Sequence, residues 1–143
     1  MNTQQLIDTV LASFRAEQEG DIQTGLGLIA EDFKVTDLTL GNKGDVIFPE
    51  FKAGAAKQAV TEVYETKGRK YEFINVIADE SKQLVMVEFI ESYPDPKTGQ
   101  IYKTPQIAVC EVRDGKIHRT RHYLDPRTSF TEISGQDWER AYN

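Results

Sequence analysis

Apolar residues recur with helical spacing along the first third of the chain. Residues three or four apart form one stripe, which predicts an amphipathic helix that Gly20 ends. Asp21 is a suitable cap for a second, shorter helix over 22–30, where Gly25 and Gly27 each cost about 1 kcal/mol relative to Ala. The second helix therefore needs packing to hold it. The stripe of the first helix consists of Leu6, Ile7, Val10, Leu11 and Phe14.

At residue 32 the pattern changes to a period of two. Alternation predicts a strand over 33–40, followed by a long loop over 41–51. A third helix is predicted over 53–67, with Gly68 as its stop. Four antiparallel strands then follow, over 71–78, 83–93, 101–113 and 116–124.

Turn signals separate the last strands. Two prolines and a glycine in 94–99 cannot continue a strand ladder, and Asp114-Gly115 is a strong signal for a two-residue hairpin turn. Ser134 can cap a short helix in a C-terminal tail, over 134–142. The order of elements predicts an α+β fold in which three helices pack on a strongly curved antiparallel sheet. Where the two layers do not close, we expect an apolar cavity.

Length and charge narrow the class of protein. The 143 residues suit a single domain, 1–143, and the net charge is −6, from 17 Lys and Arg against 23 Asp and Glu. An acidic chain lacks the field that draws proteins to nucleic acid, and no apolar run reaches the ~20 residues of a membrane span. Residues 1–16 do not resemble a signal peptide. Cys110 cannot form an internal disulfide and is typical of a small buried strand residue, so we expect a cytoplasmic protein.

The Asp114-Gly115 turn also predicts a register for the last hairpin. Counting outward pairs Glu111 with His118, Val109 with Thr120 and Ile107 with His122. His122 would then lie on the apolar face, where histidine suits general acid or base catalysis; the alternative is a structural histidine bonded to a neighbour. The opposite, more hydrated face would carry Ala108, Cys110, Arg119, Arg121 and Tyr123.

Two carboxylates also fall in apolar rows. Asp37 shares a face with Phe33 and Val35, so it is either a base with a raised pKa or a strand-end residue bonded to the loop that follows. Glu88 shares a face with Leu84, Met86 and Ile90, and is either a site residue or a polar residue at a sheet edge or dimer contact. His122, Asp37 and Glu88 are the candidate catalytic residues, and they could converge in one pocket. No metal-ligand spacing, phosphate loop or dinucleotide motif is present, so we expect no metal and no cofactor.

Two stretches resemble the NTF2-like superfamily, and its SnoaL-like branch most closely. GDIQTGLGLIAEDFKVTD, residues 20–37, resembles the segment of ketosteroid isomerases that ends in the general base, here Asp37. RDGKIHRTRHYLDP, residues 113–126, is similar to the final hairpin of SnoaL-like polyketide cyclases and limonene-epoxide hydrolases, where an acid precedes an aromatic residue; His122 stands there. The resemblance covers about 4–126 and implies an NTF2-like cone.

The sequence departs from the pattern of both relatives. The isomerases use a helix tyrosine and a protonated acid, but Ser13 or Phe14, and Ile107 or Ala108, stand at those places. The epoxide hydrolases need an Asp-Arg-Asp set, in which His122 replaces one Asp and Glu88 stands near the place of the Arg. What remains implied is a pocket with a histidine and carboxylates that could transfer protons.

The resemblance implies a domain that binds a small, partly apolar or polyketide-like molecule. Its chemistry would be proton transfer of the cyclase, isomerase or hydrolase type, and the alternative is a non-catalytic module that binds a ligand or dimerises. Relatives often pair through the outer face of the sheet, so we also expect a homodimer, with Arg119, Arg121 and Tyr123 in the contact. The expected pocket residues are Phe14, Phe33, Ile107, Val109 and Thr120.

Overall fold

The structure is a computed structural model that describes residues 1–37, 46–47, 61–124 and 142. Two helices come first, and residues 61–65 are also helical. No helix among these residues is both long enough and apolar enough to cross a membrane. The helices are α1 (Thr3–Glu19) and α2 (Ile22–Gly27), and the strands are β1 (Ile29–Asp37), β2 (Val46–Ile47), β3 (Lys70–Asp79), β4 (Leu84–Pro94), β5 (Ile101–Arg113) and β6 (Lys116–Leu124).

The six described strands form one sheet in the order β2-β1-β6-β5-β4-β3. β1 runs parallel to β6, and every other neighbouring pair is antiparallel. The α+β layer fold is confirmed, but the prediction of a wholly antiparallel sheet is wrong. The parallel pair arises because β1 lies between β2 and β6, the last described strand, and runs in the same direction as β6.

Two predicted elements change for tertiary reasons, and two predicted helices lie mostly outside the described residues. α2 ends at Gly27 rather than at residue 30, because Ile29 already pairs with Ile117 in the sheet. The predicted loop over 41–51 contains the two-residue strand β2, which pairs with the end of β1. The predicted third helix is described only at 61–65, and the predicted tail helix over 134–142 lies outside the described residues apart from Tyr142.

α1 is capped at both ends, and its end at Gly20 is the predicted one. Asn2 and Gln5 form a reciprocal capping box, and Gly20 closes the helix in the left-handed region at φ 73°. The helix buries Leu6, Val10 and Phe14 against the inner face of the sheet, by which we mean the face that packs on the helices. The strand residues of that core are Val85, Val87, Phe89, Ala108, Cys110, Val112 and Ile117.

A β-bulge in β6 changes the predicted register of the last hairpin. Arg113 pairs with Lys116 and Val112 with Ile117, but Glu111 then pairs with Arg119, so His118 is the extra residue. Beyond the bulge the β6 residues keep their predicted faces, but the β5 residues opposite them are exchanged, so that Ala108 and Cys110 lie in the core rather than on the hydrated face. The predicted pairs of Glu111, Val109 and Ile107 were therefore wrong. Thr120 instead pairs with Cys110, His122 with Ala108 and Tyr123 with Ile107.

Candidate functional site

A cavity of about 420 Å³ lies between the helices and the inner face of the sheet. Its volume is in the range of pockets that hold small molecules. One part of its lining is apolar and another is polar and aromatic. The apolar side chains include Phe14, Leu26, Ile29, Phe33, Val35, Val63, Ile117 and Leu124. The polar ones include Glu17, Tyr64, Arg69, Tyr71, Glu91, Tyr93, Tyr102, Gln106, Thr120 and His122.

Three of the five expected pocket residues line this cavity, namely Phe14, Phe33 and Thr120. Ile107 and Val109 do not, and their predicted place in the pocket was wrong. They lie on the outer face of the sheet, the face turned away from the helices, because the bulge at His118 pairs them with Tyr123 and Arg121, and Ile107 is 38% exposed there.

Glu88 lies on the outer face as well. Its register partners are Asn75 and Ile107, and the Asn75 Nδ2 donates a hydrogen bond of 2.8 Å to Glu88 Oε1. The predicted convergence of Glu88 with His122 was therefore wrong. The alternation that placed Glu88 in an apolar row was real, but that row is the outer one.

The backbone of Asp37 lies beside that of His122. The parallel pairing of β1 with β6 makes these two residues register partners, which is the one predicted convergence that the strand order produces. Strands far apart in sequence supply them, so only the tertiary fold could bring them together.

His122 is partly buried in the polar part of the cavity. Its Nδ1 lies 3.4 Å from Gln106 Oε1, and its ring meets the buried ring of Phe89 edge to face at 6.4 Å between centroids. β6 therefore presents the imidazole between an amide from β5 and an aromatic ring from β4. A histidine so held can exchange a proton while its ring orientation stays fixed.

Next to Gln106 lies a buried ion pair. Arg69 Nη1 donates to Glu91 Oε2 at 2.7 Å, and the two side chains are only 5% and 15% exposed. The Arg69 guanidinium also lies 4.2 Å from the centroid of the Tyr93 ring, which itself stacks on Tyr102. Gln106 Nε2 donates to Glu91 Oε1 at 2.8 Å, so both oxygens of this carboxylate are bonded.

A second carboxyl lies at the wall that α1 contributes. Glu17 accepts a hydrogen bond through Oε2 from the Tyr71 hydroxyl of β3. Burial raises the pKa of Glu17, the Tyr71 hydrogen bond lowers it, and the charges of Glu91 and Arg69 raise and lower it in turn, so that the net pKa is about 7. Burial and the charge of Glu17 also raise the pKa of Tyr71 well above its usual range. Glu17 is thus a carboxyl that holds or releases its proton near neutral pH.

Four cavity residues were not predicted as site residues from the sequence, namely Glu17, Arg69, Glu91 and Gln106. Signals for two of them were present. Glu17 continues the α1 stripe three residues after Phe14, and Glu91 follows Phe89 by two in β4, on the inner face. Arg69 and Gln106 gave no such signal, because their roles depend on contacts across strands.

Comparison with solved structures identifies the architecture. An NTF2-like protein from Burkholderia xenovorans LB400 superposes with a TM-score of 0.68 at 20% identity, covering 100% of this chain and 99% of that chain. The chain has the NTF2-like fold. No family model and no curated protein matches it.

Two further NTF2-like neighbours carry descriptions of activity. An LEH-like epoxide hydrolase from M. tuberculosis has a TM-score of 0.67 at 21% identity, covering 89% of this chain and 87% of that chain. IdmH from Streptomyces antibioticus, described as a proposed polyketide cyclase, has a TM-score of 0.69 at 17% identity, covering 92% and 99%. At these identities the likeness concerns the fold alone.

Within this NTF2-like cone, the described part of the cavity offers proton donors and acceptors. No three His, Cys, Asp or Glu side chains among the described residues are grouped so that they could hold a metal ion. The cavity does contain a tyrosine–carboxyl pair, Tyr71 with Glu17, at places to which the isomerase resemblance did not point. A histidine and an acid that titrates near neutral pH can together move protons on a bound molecule.

Proposed function

We propose that this domain binds a small, partly apolar molecule in the cavity and transfers protons on it, in chemistry of the cyclase, isomerase or hydrolase type and without a cofactor. The observation that carries the proposal is that the partly buried Glu17, whose pKa of about 7 suits proton exchange, lies in the same cavity as His122. The descriptions of two neighbours as an epoxide hydrolase and a proposed polyketide cyclase support the same class of chemistry.

In this proposal His122 and Glu17 act as base and acid. On a carbonyl compound, His122 takes the proton from the carbon next to the carbonyl, and protonated Glu17 gives its proton to the oxygen, which yields the enol. When the enol is conjugated, His122 can give its proton to a different carbon while Glu17 takes back the proton of the oxygen, which gives an isomer and restores both side chains. Asp37, the register partner of His122, orients the imidazole or serves as a second base.

Hydrogen–deuterium exchange tests the chemistry without knowledge of the natural substrate. We expect the wild-type protein in D2O to accelerate exchange of the α-protons of 2-tetralone, an apolar bicyclic ketone, as followed by NMR. H122N and E17Q should each lose roughly 10²-fold in rate, the lower end of what general acid–base catalysis contributes. E88Q, altered on the outer face, is the matched control and should exchange like the wild type. No acceleration by the wild type would contradict the proposal.

The alternative is a module that binds a ligand without turning it over. It is favoured by the way the polar groups of the cavity satisfy one another, as in the Arg69–Glu91 pair and the Tyr71–Glu17 hydrogen bond. Shift changes at cavity residues on addition of 2-tetralone, without exchange of its protons, would support this alternative.

We further propose that the domain is a cytoplasmic homodimer paired through the outer face of the sheet. Ile77, Met86, Ile107 and Tyr123 are exposed on that face at between 38% and 64%, and such a band of apolar side chains is typical of an interface. Arg121 lies among them and donates to Glu111 at 2.9 Å. The thiol of Cys110 is buried and free, which suits a reducing compartment.

A further inference from the structure

Four side chains form a continuous line along the polar part of the cavity. Arg69 donates to Glu91 at 2.7 Å, Gln106 Nε2 donates to the other oxygen of Glu91 at 2.8 Å, and Gln106 Oε1 lies 3.4 Å from His122 Nδ1. β4, β5 and β6 are neighbours in the sheet, so the line from Glu91 to His122 crosses three adjacent strands. Arg69 joins it from the residue just before β3.

The chemistry of this line fixes which way the Gln106 amide points. A carboxylate only accepts hydrogen bonds, so the group of Gln106 that faces Glu91 must be its NH2. The amide oxygen then faces His122, and an oxygen can only accept. Nδ1 of His122 must therefore carry a hydrogen, and in the neutral ring Nε2 is the nitrogen that bears the lone pair.

We propose that Arg69, Glu91 and Gln106 are positioning residues that hold the proton of neutral His122 on Nδ1 and so make Nε2 the proton acceptor. Arg69 acts at the far end, because its guanidinium holds the Glu91 carboxylate in place through the 2.7 Å ion pair. Gln106, on β5, links Glu91 on β4 to His122 on β6, because its NH2 donates to Glu91 and its oxygen accepts from Nδ1 of His122. The consequence for catalysis rests on the proposed function, but the tautomer itself does not.

NMR of the histidine rings tests the inference directly. A long-range ¹H–¹⁵N correlation spectrum distinguishes protonated from unprotonated ring nitrogens, and it is recorded about two pH units above the unperturbed histidine pKa of about 6.5. The chain has two histidines, so His118, the bulge residue of β6, serves as an internal reference. We expect the Nδ1–H form of His122 to exceed the Nε2–H form by roughly tenfold, as one net hydrogen bond would give.

Two variants separate positioning from a merely structural role. In E91Q, the new amide can donate to Gln106, whose own amide then turns its NH2 toward His122, so the ring should change to the Nε2–H form. Q106M keeps the Arg69–Glu91 pair and removes only the amide, and the roughly tenfold preference should disappear. E88Q on the outer face should leave the wild-type pattern unchanged.

The outcomes decide the inference independently of activity. A wild-type His122 in the Nε2–H form, or an Nδ1–H form that survives in both E91Q and Q106M, would overturn it. Q106M gives an answer even where E91Q, which leaves Arg69 without its carboxylate, does not fold. An Nδ1–H tautomer without any exchange of 2-tetralone would reject the proposed proton transfer and leave the positioning line standing.

Discussion

Glu17 shows how the surroundings of one residue set its chemistry. As the continuation of the apolar stripe of α1, its carboxyl is placed among Phe14, Tyr71 and the core, where ionisation is costly. The Tyr71 hydroxyl offsets part of that cost, and the pKa still rises from 4.5 to about 7. The same residue on the exposed face of the helix would be an ordinary surface carboxylate.

This raised pKa predicts a stability that depends on pH. Between about pH 4.5 and pH 7 the folded chain keeps the Glu17 proton while the unfolded chain has lost it, so the contribution of this group falls as pH rises. Relative to E17Q, the wild type should lose on the order of 3 kcal/mol in the free energy of unfolding across this interval. Urea denaturation at several pH values measures it, with E88Q as the control. A difference between wild type and E17Q that does not change with pH would contradict the raised pKa.

At the scale of the element, the last hairpin depends on one inserted residue. The Asp114-Gly115 turn forms as predicted, with φ of 51° and 76°, and β5 and β6 have the predicted bounds. The bulge at His118 nevertheless changes which β5 residues share the cavity face with Thr120 and His122, which are Cys110 and Ala108 rather than Val109 and Ile107. Alternation along the sequence cannot reveal this bulge, because β6 has the same bounds and the same number of residues with or without it.

α2 offers a matched test of packing against helix propensity. A Cβ added to Gly25 would lie 1.8 Å from the Tyr64 hydroxyl oxygen, whereas one added to Gly27 would meet nothing within 4 Å. G27A should therefore raise the free energy of unfolding by up to about 1 kcal/mol. G25A should lower it by about 1–3 kcal/mol, because the Tyr64 ring must move. Urea denaturation of both variants measures the difference, and equal effects would show that Tyr64 does not pack on Gly25.

At the scale of the whole molecule, the two faces of the sheet have different tasks. The inner face carries the core and the cavity, and the outer face exposes apolar side chains around the Glu111–Arg121 pair. Tyr142 lies near Glu88 on the outer face. Its pKa is raised by burial and then by the negative charge of Glu88. A site enclosed on one face leaves the other face available for association with a second copy.

The proposed homodimer is tested by a charge placed on this face. The wild type should sediment as a dimer at micromolar concentration. I107K should sediment as a monomer, because a lysine on both copies would meet an apolar contact. Q4K adds the same charge on exposed α1 and should stay dimeric. A monomeric wild type in sedimentation equilibrium would refute the dimer.

The features that depend on residues close together in the sequence could be predicted from the sequence alone. The stripe of α1, its Gly20 cap, the bounds of β5 and β6 and the Asp114-Gly115 turn follow from local spacing and backbone preference. The resemblance in residues 20–37 and 113–126 also led to the NTF2-like fold that the solved structures share.

Which face of each strand lines the site depends on the tertiary structure. The bulge removed Ile107 and Val109 from the pocket, the sheet placed Glu88 outside, and the parallel β1–β6 pair put Asp37 beside His122. Glu17, Arg69, Glu91 and Gln106 acquire their chemistry from burial and from partners on other strands. Such properties arise from contacts between residues far apart in sequence, and a one-dimensional pattern does not contain them.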